Sequence, residues 1–369
     1  MLLAAAEQHR CLPVAFLGLV FDPLSLDEAV DLVRRAVREN RRLMFATPNV
    51  NFASLAASNA DFRRAVLACN LQLIDGMPLV WAGRLLGLPI PERGAGSSLF
   101  EALQASRERP PLRVFFFGGD VGVAQAASGA LDRTPSGLCS AGYLDPGRGS
   151  IEEMSSDALI DTINAAKADF LCVALGAVKG HTWIARNAGR LNVPVISHLG
   201  AVVNFVAGRL SRAPRWMQRT GLEWVWRILR EPQLARRYRQ DAVWLLRASF
   251  GQLLPAWLDL VRARPETREC SWEIHSIEKG VQTLRIAGDL NRSALLHNDE
   301  LRELKPDREL PLHIDLKDLD RIDSAGVAWL LRCCYCVREG SSLRISGLNA
   351  EVSRSLRRFG AGFITTEYA

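Results

Sequence analysis

No cysteine in this chain has the partners that a zinc site or a disulfide framework needs. The eight cysteines stand singly apart from Cys333, Cys334 and Cys336, and no CxxC pair has a matching second pair. Both classes are therefore excluded, and a reducing compartment is the natural setting. The N-terminal "MLLAAAEQHRCLPVAFLGLVFDP" has no basic leading region and is interrupted by Glu7, His9 and Arg10, so no signal peptide is expected. Crossing a bilayer takes about 20 consecutive apolar residues. The most apolar late segment, "AVWLLRASFGQLLPAWLDLV", is broken by Arg247, Gln252, Pro255 and Asp259, so the chain is not expected to span. A G-x-G-x-x-G fingerprint is also missing: "FFFGGDVGVA" ends a strand in Gly118 and Gly119, but no acid follows at the ribose-binding distance. That disfavours a nicotinamide cofactor, and a Rossmann-type oxidoreductase is a distant reading.

What remains is an ordinary globular composition, 48% hydrophobic and 23% charged, over 369 residues, long enough for two domains. The net charge of +6 is concentrated. Between Arg209 and Arg247 stand ten arginines against Glu223, Glu231 and Asp241, together with four of the nine tryptophans. From Cys270 to Thr365 basic and acidic residues balance.

The first two-thirds alternates short apolar runs with amphipathic segments. The runs "LMFATPN", "LQLIDG", "RVFFFGG", "FLCVALG" and "VPVISHLG" are apolar on both faces, which predicts parallel strands covered by helices on both sides. Ligands in such sheets bind at the carboxyl ends of the strands. Thr47, Asn49, Asp75, Gly118, Gly119 and Gly176 are site candidates by that position alone. After "LVRARPETREC", which reads as a linker, the pattern restarts. "SWEIHSIE", "VQTLRIAGDL", "LPLHIDL" and "SLRISGL" read as strands, and "SAGVAWLLRCCYCVRE" and "AEVSRSLRRFG" as helices, giving a small separate α/β domain. The boundaries are 1–208, 209–266 and 267–369.

Asp75 is the notable acid, alone at the end of an apolar run and followed at once by glycine and a helical pattern. Two readings stand: a cap for the helix beginning near Pro78, or a general base. The Gly118–Gly119 turn is either a tight turn without a ligand or a backbone cradle for a diphosphate.

The string "TPNVNFASLAASNADFRRAVLACNLQLIDGMPLVWAGRLLGLPIPERGAGSSLF" resembles the WecG/TagA/CpsF glycosyltransferase family (family 26). The likeness continues through "RVFFFGG", "GYLDP", "VALGAVKGHTWIARN" and "NFVAGRLSRAPRWMQRTGLEWVWRILREP", roughly residues 14 to 240. It implies a Rossmann-like parallel-sheet domain and an inverting hexosyl transfer from a UDP-sugar to a polyprenyl-diphosphate-linked saccharide. The reaction would take place at the cytoplasmic face of the cell membrane, without a required metal or cofactor, in surface polysaccharide biosynthesis. The resemblance places the base on Asp75, with Thr47, Asn49 and Arg93 beside it. Lys179 and Asn204 fall within further motifs of the resemblance, and Gly118, Gly119 and Gly176 join them as substrate-binding candidates by their place at the strand ends. The family pattern departs where proline, glutamine and glutamate give way to Val178, Gly180 and His181, and an acid to Asn204. An amide or glycine reads a nucleotide-sugar differently from a glutamine or carboxylate. His181 is a replacement catalyst or an inert helix-start residue.

The Arg/Trp segment admits three readings: nucleic-acid binding, a solvated face, or a membrane-facing helix with arginines for a lipid diphosphate. Leu222, Val225, Trp226 and Leu229 make an amphipathic stripe with the arginines off it, the composition of an interfacial helix. The lipid-linked acceptor implied by the resemblance favours the membrane surface over nucleic acid, with Arg209, Arg212 and Arg215 as diphosphate ligands. "LPLHIDLKDLDRIDSAGVAWLL" resembles a STAS domain, with Ser324 at the position that some members phosphorylate; capping a helix is the alternative. The expectation is a glycosyltransferase peripheral on the inner membrane face, carrying a STAS module that recruits a protein partner. The rival is an inactive glycosyltransferase-like scaffold working through that module.

Overall fold

The computed structural model describes residues 12–133, 136–262, 268–278, 281–302, 304, 310–335 and 343–368. The signal-peptide reading of residues 1–10, the linker proline Pro265, the 266/267 boundary and Cys336 lie outside them.

The described residues begin with a hairpin, β1 (Val14–Phe16) and β2 (Leu19–Phe21), fully buried and paired with neither large sheet. Its two-residue turn, Leu17 and Gly18, has positive φ at both positions, the geometry that matches strand twist. Six parallel strands follow: β3 (Leu43–Ala46), β4 (Leu71–Gln72), β5 (Leu112–Gly118), β6 (Leu138–Leu144), β7 (Phe170–Ala174) and β8 (Val195–His198). Their spatial order is β4-β3-β8-β7-β5-β6. The central strands are apolar on both faces because each face is covered. Helices Leu26–Arg38, Gly96–Ala105, Val123–Arg133 and Gly200–Val206 pack on one side, and Asp157–Ala165 and Ala177–Asn187 on the other. The chain leaves β3 toward β4 and later returns to β8 on β3's other side. This opens the crevice where ligands sit in doubly wound sheets.

Helices Arg215–Arg219, Glu223–Arg230, Ala235–Ala248 and Leu254–Val261 follow; Glu223–Arg230 and Ala235–Ala248 wrap back over the carboxyl ends of the strands, and Leu254–Val261 packs against helix Ala350–Arg358. None is long and apolar enough to cross a membrane, nor is any other helix among the described residues.

The C-terminal unit has its own sheet. Strands β9 (Ser271–Glu278), β10 (Val281–Leu290), β11 (Leu312–Asp315), β12 (Leu319–Ile322) and β13 (Leu343–Ser346) pair in the order β12-β10-β11-β13, with β9 also on β10. Helix Ser324–Cys334 is buried along its whole length, because the sheet covers one side and the N-terminal hairpin the other. Ser324 Oγ donates to Ala15 O at 2.9 Å and accepts from Ala15 N at 3.0 Å. Arg332 Nη2 reaches both carboxylate oxygens of Asp22 at 2.7 Å, with both side chains 6% exposed. Gly18 N donates to Phe359 O at 2.9 Å, and Gly360 faces it so closely that a Cβ there would lie 2.3 Å from Gly18 N. One apolar core runs through the hairpin from the first domain into the last.

Candidate active site

The carboxyl ends of the parallel strands and the helices wrapped over them enclose one cavity of about 1220 Å³. Each wall follows from a local rule. Thr47 and Asn49 leave β3. Asn49 Oδ1 accepts from Phe52 N at 3.2 Å and caps helix Val50–Ser58, which fixes the direction in which that helix leaves the sheet. Asp75 follows β4, where Gly76 at φ +96° makes the turn into helix Met77–Leu85. The N-cap of that helix is Gly76, with no side-chain cap bond, so Asp75 is not the cap. Gly176 and Lys179 follow β7, His198 ends β8, and Leu199 and Asn204 follow it.

Asp75 accepts from Arg93 Nε at 3.1 Å, and Arg93 Nη2 donates to Glu223 Oε2 at 2.6 Å. Arg93 and Glu223 are 14% and 16% exposed, and Asp75, at 27%, is half-buried in the wall. Burial raises the Asp75 carboxyl above the ordinary carboxylate range; Arg93 opposes this, and the Glu223 charge adds to it. The same burial raises Tyr238, whose ring lies 6.3 Å from Trp224 on the facing helix. Asp241 is buried and accepts from Asn51 Nδ2 at 3.0 Å, which seats helix Ala235–Ala248 on helix Val50–Ser58.

Of the residues expected from sequence, Thr47, Asn49, Asp75, Arg93, Gly119, Gly176, Lys179 and Asn204 line this cavity. Gly118 does not. Its φ is +88° and a Cβ there would stand 2.6 Å from the Leu175 side chain, so it is a turn and packing glycine. The diphosphate cradle read into this turn loses one donor, because Gly119 N already donates to Ala174 O at 2.8 Å. Lys179 Nζ bonds the carbonyl of Gly149, and Asn204 Nδ2 the carbonyl of Gly200 at 3.4 Å.

The lining also excludes Arg209, Arg212 and Arg215. Arg212 is held by Glu101 at 2.5 Å and Ser98 at 3.3 Å, while Arg209 and Arg215 point to solvent. Within the basic segment the arginines that do reach the cavity are Arg227, Arg237 and Arg239, on the two helices that follow Arg215–Arg219. Ser324 is not at a free surface: it is 5% exposed and both faces of its hydroxyl are taken by Ala15. A phosphate there requires the hairpin to leave.

His181 is 1% exposed, inside helix Ala177–Asn187, edge-on to Phe52 and Phe62 and 5.3 Å from the His198 ring. It is outside the cavity, so a catalytic role has no geometric basis. Burial holds both imidazoles neutral, with His198 down to about 4. Gly180 explains the neighbouring departure from the family pattern: a Cβ there would lie 2.2 Å from His198 Cδ2. The His198 ring fills the space that a longer residue would take. Gly180→Ala is therefore expected to lower the thermal unfolding midpoint, since overpacking costs about 1–3 kcal/mol. Adding His198→Ala should recover most of that loss, and calorimetry on the single and double variants checks it.

A parallel sheet with Asp75 at the end of one strand, in a cavity that arginines also line, is the architecture of an α/β enzyme with its site at the carboxyl ends of the strands. The chain belongs to the glycosyltransferase WecG/TagA/CpsF family, whose model matches residues 14–257. A second model, the MlaB-type STAS domain, matches residues 275–365. Among curated relatives, an N-acetylglucosaminyldiphosphoundecaprenol N-acetyl-beta-D-mannosaminyltransferase of Bacillus spizizenii is 29% identical over 199 residues, 54% of this chain and 76% of the relative. The enzyme of the same name from Staphylococcus aureus is 23% identical over 228 residues, 60% of this chain and 87% of the relative.

Proposed function

We propose that this protein transfers a hexosyl group from a UDP-sugar to a polyprenyl-diphosphate-linked saccharide at the inner face of the cell membrane, in surface polysaccharide biosynthesis. One observation carries the reading: Asp75 stands at a strand end in the cavity wall, with Arg227, Arg237 and Arg239 of the wrapped helices lining the same cavity. In a single displacement the acceptor hydroxyl gives its proton to Asp75 and its oxygen forms a bond to the anomeric carbon. The bond from that carbon to UDP breaks on the opposite face, so configuration inverts and UDP leaves. The arginines suit diphosphate oxygens, since a guanidinium fork matches them in pairs.

The outside of the same helices supports a membrane surface as partner. Helix Glu223–Arg230 buries none of its residues, and Trp216, Leu229, Leu246 and Phe250 are 60–69% exposed beside many arginines. The relatives are named for a lipid-diphosphate acceptor, which agrees with this face. The STAS module would bind its protein partner through surfaces other than the Ser324 end, which the hairpin covers.

The test is transfer of radiolabelled sugar from a panel of UDP-sugars to polyprenyl-diphospho-N-acetylglucosamine. Alongside it, sedimentation with anionic vesicles should be strong at low salt and lost at high salt, as Debye screening requires. Transfer from one donor names the substrate. Folded protein that sediments with vesicles yet transfers from no donor overturns the enzymatic reading in favour of a scaffold.

A further inference from the structure

Glu223 belongs to the basic wrapping segment, yet its carboxylate points inward to the arginine that holds the base. The donors Arg93 uses are decisive. Nε and Nη2 form the side-on edge of a guanidinium, the edge that grips one carboxylate with two parallel hydrogen bonds. Here that edge is divided: Nε goes to Asp75 at 3.1 Å and Nη2 to Glu223 at 2.6 Å. Asp75 thus receives one long bond through Oδ1 and none through Oδ2 from the described residues.

We propose that Glu223 is a positioning residue: by occupying Nη2 of Arg93 it prevents a two-pronged Arg93–Asp75 pair and leaves one oxygen of Asp75 free to take the acceptor's proton. A carboxylate gripped twice by an arginine is a weaker base and has no lone pair directed at a substrate. One gripped once is oriented but available. The inference rests on the transfer reaction proposed above and adds to it a dependence on the wrapped helix. Since Glu223 is the first residue of helix Glu223–Arg230, the base is set correctly only while that helix is seated.

The charged and titratable groups around Asp75 come from three elements. Arg93 lies in the loop before helix Gly96–Ala105, Glu223 and Arg227 lie on the wrapped helix, and Tyr238 on the next helix. Arg93 and Arg227 favour the ionised carboxylate, and Glu223 disfavours it. Removing the Glu223 charge must therefore ease ionisation of Asp75 while weakening it as a base.

Glu223→Ala tests this in the full chain, because it frees Nη2 of Arg93 to turn onto Asp75. Glu223→Gln, whose carbonyl can still accept from Arg93, removes the charge alone and serves as the control. Two readouts are needed. The first is the pH profile of sugar transfer: the acid limb should move to lower pH while the plateau falls about tenfold, a fraction of the 10²–10⁴ that a positioned base supplies. The second is the carboxyl titration of Asp75 by ¹³C NMR of aspartate-labelled protein, identified by its loss in Asp75→Asn, with vesicle sedimentation as the docking control. A larger shift of that titration to lower pH in Glu223→Ala than in Glu223→Gln, with sedimentation unchanged, supports the proposal. An Asp75 titration that moves no further in Glu223→Ala than in Glu223→Gln overturns it and leaves Glu223 as a structural latch. A shifted titration in a protein that transfers no sugar retains the positioning and removes the transferase reading.

Discussion

Asparagine at position 75 is expected to leave the fold intact and lower sugar transfer by about 10²–10⁴-fold, the usual contribution of a positioned general base. The change is nearly isosteric and keeps an oxygen for Arg93 Nε, so the thermal midpoint should move little. What disappears is the group that takes the acceptor proton. The sign of the pH dependence follows from the environment. Burial raises the Asp75 carboxyl above its ordinary value, and only the ionised form can act as base. The wild-type acid limb should accordingly lie above the ordinary carboxylate range, activity falling as pH drops through it. Steady-state transfer across pH, with the variant as blank, checks both statements. Transfer that survives in Asp75→Asn would move the search for a base to Asp241, the other carboxylate on the cavity wall besides Glu223 and the exposed Asp120.

The largest stability effect is expected far from the cavity. Arg332→Met removes the cation that holds Asp22, leaving the carboxylate 6% exposed with only the Gln72 amide, at 2.8 Å, as a donor shown to reach it. Breaking a buried pair on one side costs about 3–5 kcal/mol, because the remaining charge is stranded. Replacing both partners, as Asp22→Leu with Arg332→Met, should recover most of the loss, since well-packed apolar residues often match a buried pair. Urea midpoints for the single and double variants give the comparison. A mild effect of Arg332→Met alone would mean that water reaches Asp22 and that the two domains part easily.

The sequence was most readable where burial is symmetric. Five strands of the parallel sheet have apolar runs on both faces and were legible, as was the rule placing Thr47, Asn49, Asp75 and Gly176 at their ends. Strand β6, "LCSAGYL", is an edge strand of small and polar residues, mostly half-exposed, and gives no such signal. The hairpin strands have three residues each and β12 has four, too short for a period to show. In the cavity, Glu223, Tyr238 and the inward arginines were hidden for a different reason. Composition showed that their segment is basic and amphipathic, but not which of its arginines turn inward. That is decided by contacts such as Asp241 with Asn51, 190 residues apart, and by Glu101 and Ser98 taking Arg212. The STAS resemblance located Ser324 but could not reveal that Ala15 occupies its hydroxyl.

The hairpin has a consequence for the order in which this protein can be made. Asp22 emerges from the ribosome 310 residues before its partner Arg332. At ribosomal rates of about 5–20 residues per second, that gap lasts roughly 15 to 60 s. Throughout it, one side of an apolar ribbon and a carboxylate destined for burial have no cover from the chain itself. A product released before helix Ser324–Cys334 is complete keeps that side bare. The hairpin thus marks unfinished chains, exposing to chaperones and proteases a surface that the completed protein no longer shows.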